Sequence, residues 1–267
     1  MSIGSVQAGM GVSPRTKAQV SDIDVSTLWD PVGAIADIIL VHGLQGGPRT
    51  TWTFQVPDAA KDSNIFSYIR RASSSSKSAT PATVTSACYW PEHLLPNDIK
   101  NCRIATYGYD SRINDCFGGA ANQANIIGHG RSLLESMINF KRTCPARPTI
   151  FVAHRLGRLI LKEALISAKH APDSEPDLQS LVKTLSGIVF MGVPHRGAGD
   201  NFVDWGLMMQ KIAVGSGFDG NDRVLRDLKS NSAMLEKLRT DFAYMLREGT
   251  FNVFTFQEGK GFAATTF

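Results

Sequence analysis

Small and polar residues follow four of the strands that the sequence predicts, where ligands bind in open α/β sheets. The four segments are His42-Gly43-Leu44-Gln45-Gly46-Gly47, Ala153-His154-Arg155-Leu156-Gly157-Arg158, Gly192-Val193-Pro194-His195-Arg196-Gly197 and Gln257-Glu258-Gly259. Arg155 and Arg158 stand three residues apart at the predicted start of a helix, where their charge and the helix dipole together favour anions. The first segment is not a phosphate-binding loop, because the Gly-Lys-Ser/Thr ending and the dinucleotide spacing are both missing.

Short apolar strands alternate with amphipathic helices, which predicts a doubly wound, mostly parallel α/β sheet covered on both faces. The predicted strands are Ile35–Val41, Arg103–Tyr107, Thr149–Val152, Ser186–Met191 and Phe251–Phe256. The predicted helices are Asn125–Asn139, Leu159–Lys169 and Ser232–Leu246. Gly128-His129-Gly130 predicts an interrupted or weakened helix within the first of these.

The composition of the 267 residues is that of a globular chain, with 43% hydrophobic and 19% charged residues and a net charge of +4. No dense Lys/Arg block is present, so we expect no nucleic acid partner. Cys88, Cys102, Cys116 and Cys144 form no C-x-x-C pair, which predicts buried free thiols and no metal or other cofactor.

The chain is expected to form one domain. Residues 1–27 are expected to be a disordered leader and residues 28–267 a single α/β domain, with a surface loop at Ala72–Ser86. No apolar run reaches the roughly 18 residues of a transmembrane helix, and no signal core is evident near the start. These features predict a cytoplasmic protein without a transmembrane segment.

The motifs and their order resemble the lipase-like α/β-hydrolases, specifically the serine esterase family that also provides N-terminal domains of fungal NOD-like receptors. The resemblance covers residues 35–258 and includes Trp90-Pro91, Leu95-Pro96, Tyr107-Gly108-Tyr109-Asp110 and Val193-Pro194-His195-Arg196-Gly197. It implies an α/β-hydrolase fold, here expected to lack its final strand and helix. It also implies an association with mitochondria, endoplasmic reticulum or membranes as the alternative to the cytoplasm.

The resemblance assigns catalytic positions, and two of them are altered in this sequence. The nucleophile position falls on Arg155, which has no hydroxyl, and the acid position falls on Glu258. The oxyanion-hole N–H groups would belong to Leu44 and Leu156. The catalytic histidine should follow Glu258, but all six histidines precede it. We expect the turn at Arg155 either to relax or to direct its side chain into the pocket mouth.

Other residues near the strand ends have structural interpretations that we prefer to catalytic ones. His195 is expected to belong to a packing turn, with a replacement base as the alternative. His154 is expected to diverge from its neighbour Arg155. Asp110, Asp200 and Asp204 are expected to be surface turn residues rather than a catalytic acid. Residues 199–220 fit an apolar lid and a core-packing helix equally well.

These observations predict a degenerate, non-catalytic lipase-like domain that acts as an interaction or ligand-sensing module. The alternative is an active serine esterase or lipase, as the resemblance implies for intact relatives. Expected partners are a lipid or acyl ester, another protein, or further domains after residue 267. Phe251–Phe256 is expected to be an exposed sheet edge.

Overall fold

A mostly parallel β-sheet forms the centre of the molecule. The computed structural model describes residues 18–43, 46–57, 84–111, 120–155, 157–193, 222–249 and 251–257. The strands are β1 (Asp24–Trp29), β2 (Ala36–Val41), β3 (Thr53–Pro57), β4 (Val84–Tyr89), β5 (Cys102–Gly108), β6 (Thr149–His154), β7 (Leu185–Val193) and β8 (Asn252–Gln257). The helices are α1 (Trp90–His93), α2 (Leu95–Asp98), α3 (Ala120–Lys141), α4 (Gly157–Lys169), α5 (Pro176–Lys183) and α6 (Asp222–Glu248), with a 3-10 turn at Thr50–Trp52.

The strand order places the carboxyl ends of β5, β2 and β6 side by side. Within the described ranges the main sheet runs β1-β5-β2-β6-β7-β8, with β1 antiparallel to β5 and the others parallel, and β3 pairs with β4 separately. After β2 the chain adds β5 on one side and then crosses to add β6 on the other. A reversal of this kind opens a crevice at the carboxyl ends of the strands, where ligands bind in open α/β sheets.

The central strands are buried on both faces of the sheet. Consecutive side chains of a strand point to opposite faces, and a hydrophobic core packs on each face. Ile39 and Val41 pack with helices α3, α4 and α6 in the larger core. Ile38 and Leu40 pack on the opposite face, where Trp52 and the residues around α1 and α2 form the second core. This two-sided burial explains why strand β2 is a continuous apolar run apart from Asp37.

A buried group of charges joins the amino ends of β2, β5 and β6. The Asp37 carboxylate is fully buried and accepts hydrogen bonds from Arg103 Nε and Nη2 at 2.8 and 3.0 Å and from Arg147 Nη1 at 3.1 Å. Lys141 Nζ lies 3.9 Å from the same carboxylate and donates to the Thr149 hydroxyl. The site described below lies at the other end of these strands, so this cluster fixes strand positions and takes no part in it.

All five predicted strands and three predicted helices are present in the described residues, with bounds that differ by at most ten residues. The α/β prediction is therefore confirmed. The largest differences are in α3, which begins five residues earlier than predicted, and in α6, which begins ten residues earlier. Apolar periodicity identifies the packed part of a helix and does not locate its solvent-exposed ends.

Three sequence predictions need correction. Strand β1 begins at Asp24, inside the predicted leader, because its residues pair with β5. Strand β4 begins at Val84, inside the predicted loop, because it pairs with β3. Helix α3 continues through residues 128–130, where Gly130 packs closely on α4: a Cβ there would lie 3.1 Å from Glu163 Cγ and 3.2 Å from the Ala164 nitrogen.

Candidate active site

The sheet register brings the ends of β2, β5 and β6 together. Val41 pairs with Ala153 of β6 and with Tyr107 of β5. His42, Tyr109 and His154 therefore lie next to one another at the carboxyl edge of the sheet. His154 is half-buried, and its ring meets the Trp52 ring edge-on at a centroid distance of 5.9 Å, so it is directed toward the second core.

His42 is a buried, neutral residue that joins two strand ends. Its ring stacks on the Tyr109 ring at 4.2 Å with an interplanar angle of 7°. Its Nδ1 donates to the Gly43 carbonyl at 2.9 Å, and its Nε2 accepts the Tyr109 N–H at 3.3 Å. The Tyr109 hydroxyl returns a hydrogen bond of 2.8 Å to the His42 carbonyl. Burial lowers the pKa of His42 to about 4, so the ring is uncharged at neutral pH. Both ring nitrogens are hydrogen-bonded to backbone groups.

The chain turns sharply at Arg155, between strand β6 and helix α4. Arg155 has a φ of +46°, in the left-handed region that a non-glycine residue enters at a cost of roughly 1–3 kcal/mol. Its N–H donates to the Met191 carbonyl of β7 at 2.9 Å, and its carbonyl accepts the Arg158 N–H at 3.3 Å. The turn has therefore not relaxed, and this expected alternative is wrong.

Two glycines allow the segments around this turn to approach one another. A Cβ on Gly157 would lie 2.3 Å from the His42 carbonyl oxygen and 2.9 Å from that of Val41. A Cβ on Gly43 would lie 3.0 Å from the His154 carbonyl oxygen and 3.3 Å from Arg155 Cβ. The start of α4 therefore presses directly on the end of β2, and a side chain at position 157 would separate them.

Two more cationic side chains follow Arg155 on helix α4: Arg158 is three residues and Lys162 seven residues further along the chain. Burial lowers the pKa of Arg158, and burial followed by repulsion from Arg158 lowers the pKa of Lys162 to about 8. Lys162 Nζ lies 4.6 Å from the Phe242 ring centroid and 5.5 Å from that of Phe190. These two rings are buried and meet edge-on, which gives the cation an aromatic surround.

The remaining residues predicted for the site lie outside the described residues. They are Leu44 and Leu156 of the predicted oxyanion hole, Glu258 of the predicted acid position, and His195, Asp200 and Asp204. Asp110 lies among the described residues, and its side chain is half-buried. Sequence reasoning named Tyr109 within a motif but gave it no role, and it missed Lys162. The spacing of Lys162, four residues after Arg158, would have placed both on one helix face.

The sheet order, the left-handed corner after β6 and the glycine contacts define an α/β domain with a mostly parallel sheet and a tight strand-to-helix corner at its carboxyl edge. In the part of the chain that the structure describes, no helix has the length and apolar character to cross a bilayer. No group of three or more His, Cys, Asp or Glu residues there could hold a metal ion.

The sequence is similar to curated proteins of vertebrates. It is 26% identical over 226 residues to Protein SERAC1 of Danio rerio and 24% identical over 228 residues to Protein SERAC1 of Mus musculus. Each alignment covers 84% of this chain and 30% of the relative, so the chain spans about a third of the length of these proteins. No family model matches the sequence.

Among solved structures, the chain has a partial likeness to 2-hydroxy-6-oxo-6-phenylhexa-2,4-dienoate hydrolase (BphD) from Rhodococcus sp. strain RHA1. The two chains are 11% identical, and the superposition has a TM-score of 0.33 over 86% of this chain and 85% of that one.

Proposed function

We propose that this domain does not form an acyl-enzyme and that it acts as a ligand-sensing or interaction module. The observation that carries this proposal is Arg155 at the left-handed corner between β6 and α4. By resemblance this is the nucleophile position of a lipase-like serine esterase. A guanidinium has no nucleophilic oxygen and stays protonated at any working pH, so it cannot attack a carbonyl carbon.

His42, which directly follows strand β2, does not replace the missing catalytic base. A general base must have a nitrogen available to take a proton and a pKa near the working pH. His42 has both nitrogens hydrogen-bonded to backbone groups, and its pKa is lowered to about 4 by burial. Its role in this proposal is to hold the ends of β2 and β5 together.

The family we propose is the lipase-like serine esterase family, including the NOD-like receptor type. The motifs in residues 35–258 and the similarity to Protein SERAC1 support this assignment. A substitution within the corner then separates this chain from an active relative: the corner geometry is retained, whereas the residue that would react is replaced.

The ligand we propose is lipid-like, with an anionic group on an apolar body. Arg155 and Arg158 supply positive charge at the amino end of α4, where the helix dipole adds to it, and Lys162 lies one turn further along the helix. Phe190 and Phe242 are buried core residues that position the Lys162 ammonium group, so the apolar body of the ligand rests on the resemblance to lipase-like proteins. A neutral acyl ester would gain nothing from these cations, whereas a phosphate or carboxylate headgroup would be attracted to them.

Reaction of the purified chain with a fluorophosphonate probe and with short-chain nitrophenyl esters tests the absence of acyl transfer. The parental chain is compared with Arg155→Ser and Arg155→Ala, which differ by one hydroxyl group. We expect no probe adduct and no burst of nitrophenol from the parental chain. A covalent adduct on the parental chain would favour the alternative, an active serine esterase or lipase.

Binding of a short-chain phosphatidic acid tests the ligand proposal independently of the chemistry. The neutral diacylglycerol with the same acyl chains is the control ligand, and Arg155→Ala is the control variant. We expect the phosphatidic acid to bind at least about tenfold more tightly to the parental chain than to Arg155→Ala. Equal affinity of the two proteins would contradict the proposed anion site without restoring catalysis.

A further inference from the structure

The carboxylate of Glu92 in helix α1 binds the backbone at residue 18. The Ala18 N–H donates to Glu92 Oε1 at 2.8 Å, across 74 residues of sequence. The Glu92 side chain is only 13% exposed. Its second oxygen, Oε2, is buried and accepts no hydrogen bond within the described ranges. Arg49 Nη1 lies 3.8 Å from Oε2, which is an ion pair longer than a hydrogen bond.

A single peptide N–H leaves this carboxylate short of donors. An ionised carboxylate has two oxygens with about four acceptor positions, whereas a peptide nitrogen supplies one hydrogen and no charge. A buried charge is costly unless it is both paired and hydrogen-bonded. An ammonium group at the position of the Ala18 nitrogen would supply three hydrogens and a full positive charge, so it could bind both oxygens of Glu92.

Contacts of residue 18 and of the residues after it fix the position of the Ala18 nitrogen. The Ala18 carbonyl accepts a hydrogen bond from Arg49 Nη2 at 3.0 Å. Val20 packs against the second core, and the Ser21 N–H donates to the Ser26 hydroxyl at 2.9 Å. None of these contacts requires an earlier residue, so the nitrogen would stay beside Glu92 in a chain that began at Ala18.

We propose that Glu92 receives a new amino terminus at Ala18, which a separate endopeptidase specific for basic residues produces by cleaving the Lys17–Ala18 peptide bond. Lys17 directly precedes Ala18, and Arg15 stands two residues before Lys17. The C–N bond breaks as water adds its hydroxyl group to the Lys17 carbonyl carbon and its remaining hydrogen to the Ala18 nitrogen. At neutral pH the new carboxylic acid loses a proton and the new amine gains one, which gives the ammonium group that pairs with Glu92.

The charged side chains that contact Ala18 in the part of the chain that the structure describes are Glu92 and Arg49. Arg49 would repel the ammonium group, but it is 34% exposed and binds the Ala18 carbonyl rather than the nitrogen. The less exposed carboxylate is in direct contact, so we expect attraction to exceed repulsion and to raise the pKa of the new amine above its ordinary value of about 8. The stabilisation is then complete below about pH 8 and is lost as the pH rises through the raised pKa.

Two amino termini produced on the folded full chain test the docking. In the first variant, Pro14→Ile, Arg15→Glu, Thr16→Gly and Lys17→Arg create a factor Xa site, so cleavage leaves Ala18 as the first residue. In the second variant, one inserted glycine separates the same site from Ala18, so cleavage leaves the amine one residue, about 3.8 Å, further away. The two cleaved chains carry the same charge. Urea unfolding followed by circular dichroism compares their stabilities.

The position of the amine should decide the stability of the cleaved chain. At pH 7 we expect the unfolding equilibrium constant of the chain that begins at Ala18 to be at least about tenfold smaller than that of the glycine-extended chain. This ratio should approach one as the pH is raised to about 10, and Glu92→Gln in both chains should abolish it at pH 7. Equal stabilities at pH 7, a ratio that does not change with pH, or a ratio that persists with Glu92→Gln would overturn the proposal.

Brief trypsin treatment of the folded parental chain tests the cleavage itself. We expect mass spectrometry to identify a product whose first residue is Ala18. The control variant Lys17→Gln should give no product with this first residue, because trypsin cleaves only after basic residues. A parental chain that trypsin does not cut after Lys17 would also overturn the proposal.

Discussion

Replacing Gly157 with alanine is expected to destabilise the protein, although alanine is the better helix former. The added Cβ would lie 2.3 Å from the His42 carbonyl oxygen and 2.9 Å from that of Val41, and both atoms belong to the backbone at the end of a central strand. Helix α4 must therefore move away from β2. Overpacking of this kind costs about 1–3 kcal/mol and sometimes more, whereas the gain in helix propensity is about 1 kcal/mol at most. We expect a net loss of about 1–2 kcal/mol.

Gly128→Ala is the matched control, because Gly128 lies inside helix α3 with nothing within 4 Å of a built Cβ. Alanine there should raise stability by about 0.5–1 kcal/mol. Urea unfolding followed by circular dichroism measures both changes, and the two midpoints should differ by on the order of 1 M. If Gly157→Ala were as stable as Gly128→Ala, the close approach of α4 to β2 would be refuted, and with it the geometry of the corner at Arg155.

Two further predictions concern buried ionisable groups. Burial lowers the pKa of His42 from an ordinary value of 6.5 to about 4 in the folded chain. Between these two pH values the unfolded chain binds more protons than the folded chain. The free energy of unfolding should therefore fall by up to about 3 kcal/mol as the pH drops from 6.5 to 4. Urea midpoints at several pH values should show this slope reduced in His42→Gln and retained in His93→Gln, which alters an exposed histidine; equal slopes in both variants would contradict it. Asp37→Asn should cost about 3–5 kcal/mol because it leaves Arg103 buried beside a neutral amide, whereas Glu236→Gln, which breaks an exposed ion pair, should leave stability almost unchanged. Similar losses for these two variants in urea unfolding would argue against the buried charge cluster.

Much of the sheet could be predicted because its strands and helices carry local patterns. Strand β6 is a short apolar run, and α6 repeats buried residues such as Leu238 and Phe242 at helical spacing. Strand β1 and the β3–β4 pair could not be predicted in this way. Their residues are stabilised by partners that are distant in the sequence, as Val25 is by Tyr107, and nothing in a local window identifies those partners.

In the candidate site, too, the parts with a local sequence pattern were predictable and the contacts between distant residues were not. The segments that meet at the carboxyl edge were predictable, because each follows a recognisable strand. The contacts within the site were not: the stacking of Tyr109 on His42 joins residues on two strands, and sequence reasoning assigned no role to the tyrosine. The interpretation of residues 128–130 as a helix break was wrong for a related reason. Gly130 is required by the close packing of two helices, and packing of this kind leaves no local pattern.

The sequence alone determined the chemical character of the corner, because the groups that a side chain carries do not depend on its surroundings. Position 155 holds a guanidinium and no hydroxyl in any fold. Only the tertiary structure decided that this residue adopts a φ of +46° at the end of β6 and that Gly157 lies against the His42 carbonyl. It also decided that Asp37 meets Arg103 and Arg147, which stand 66 and 110 residues further along the chain. Backbone strain and buried charge pairs depend on distances between remote residues, and these distances exist only once the sheet has formed.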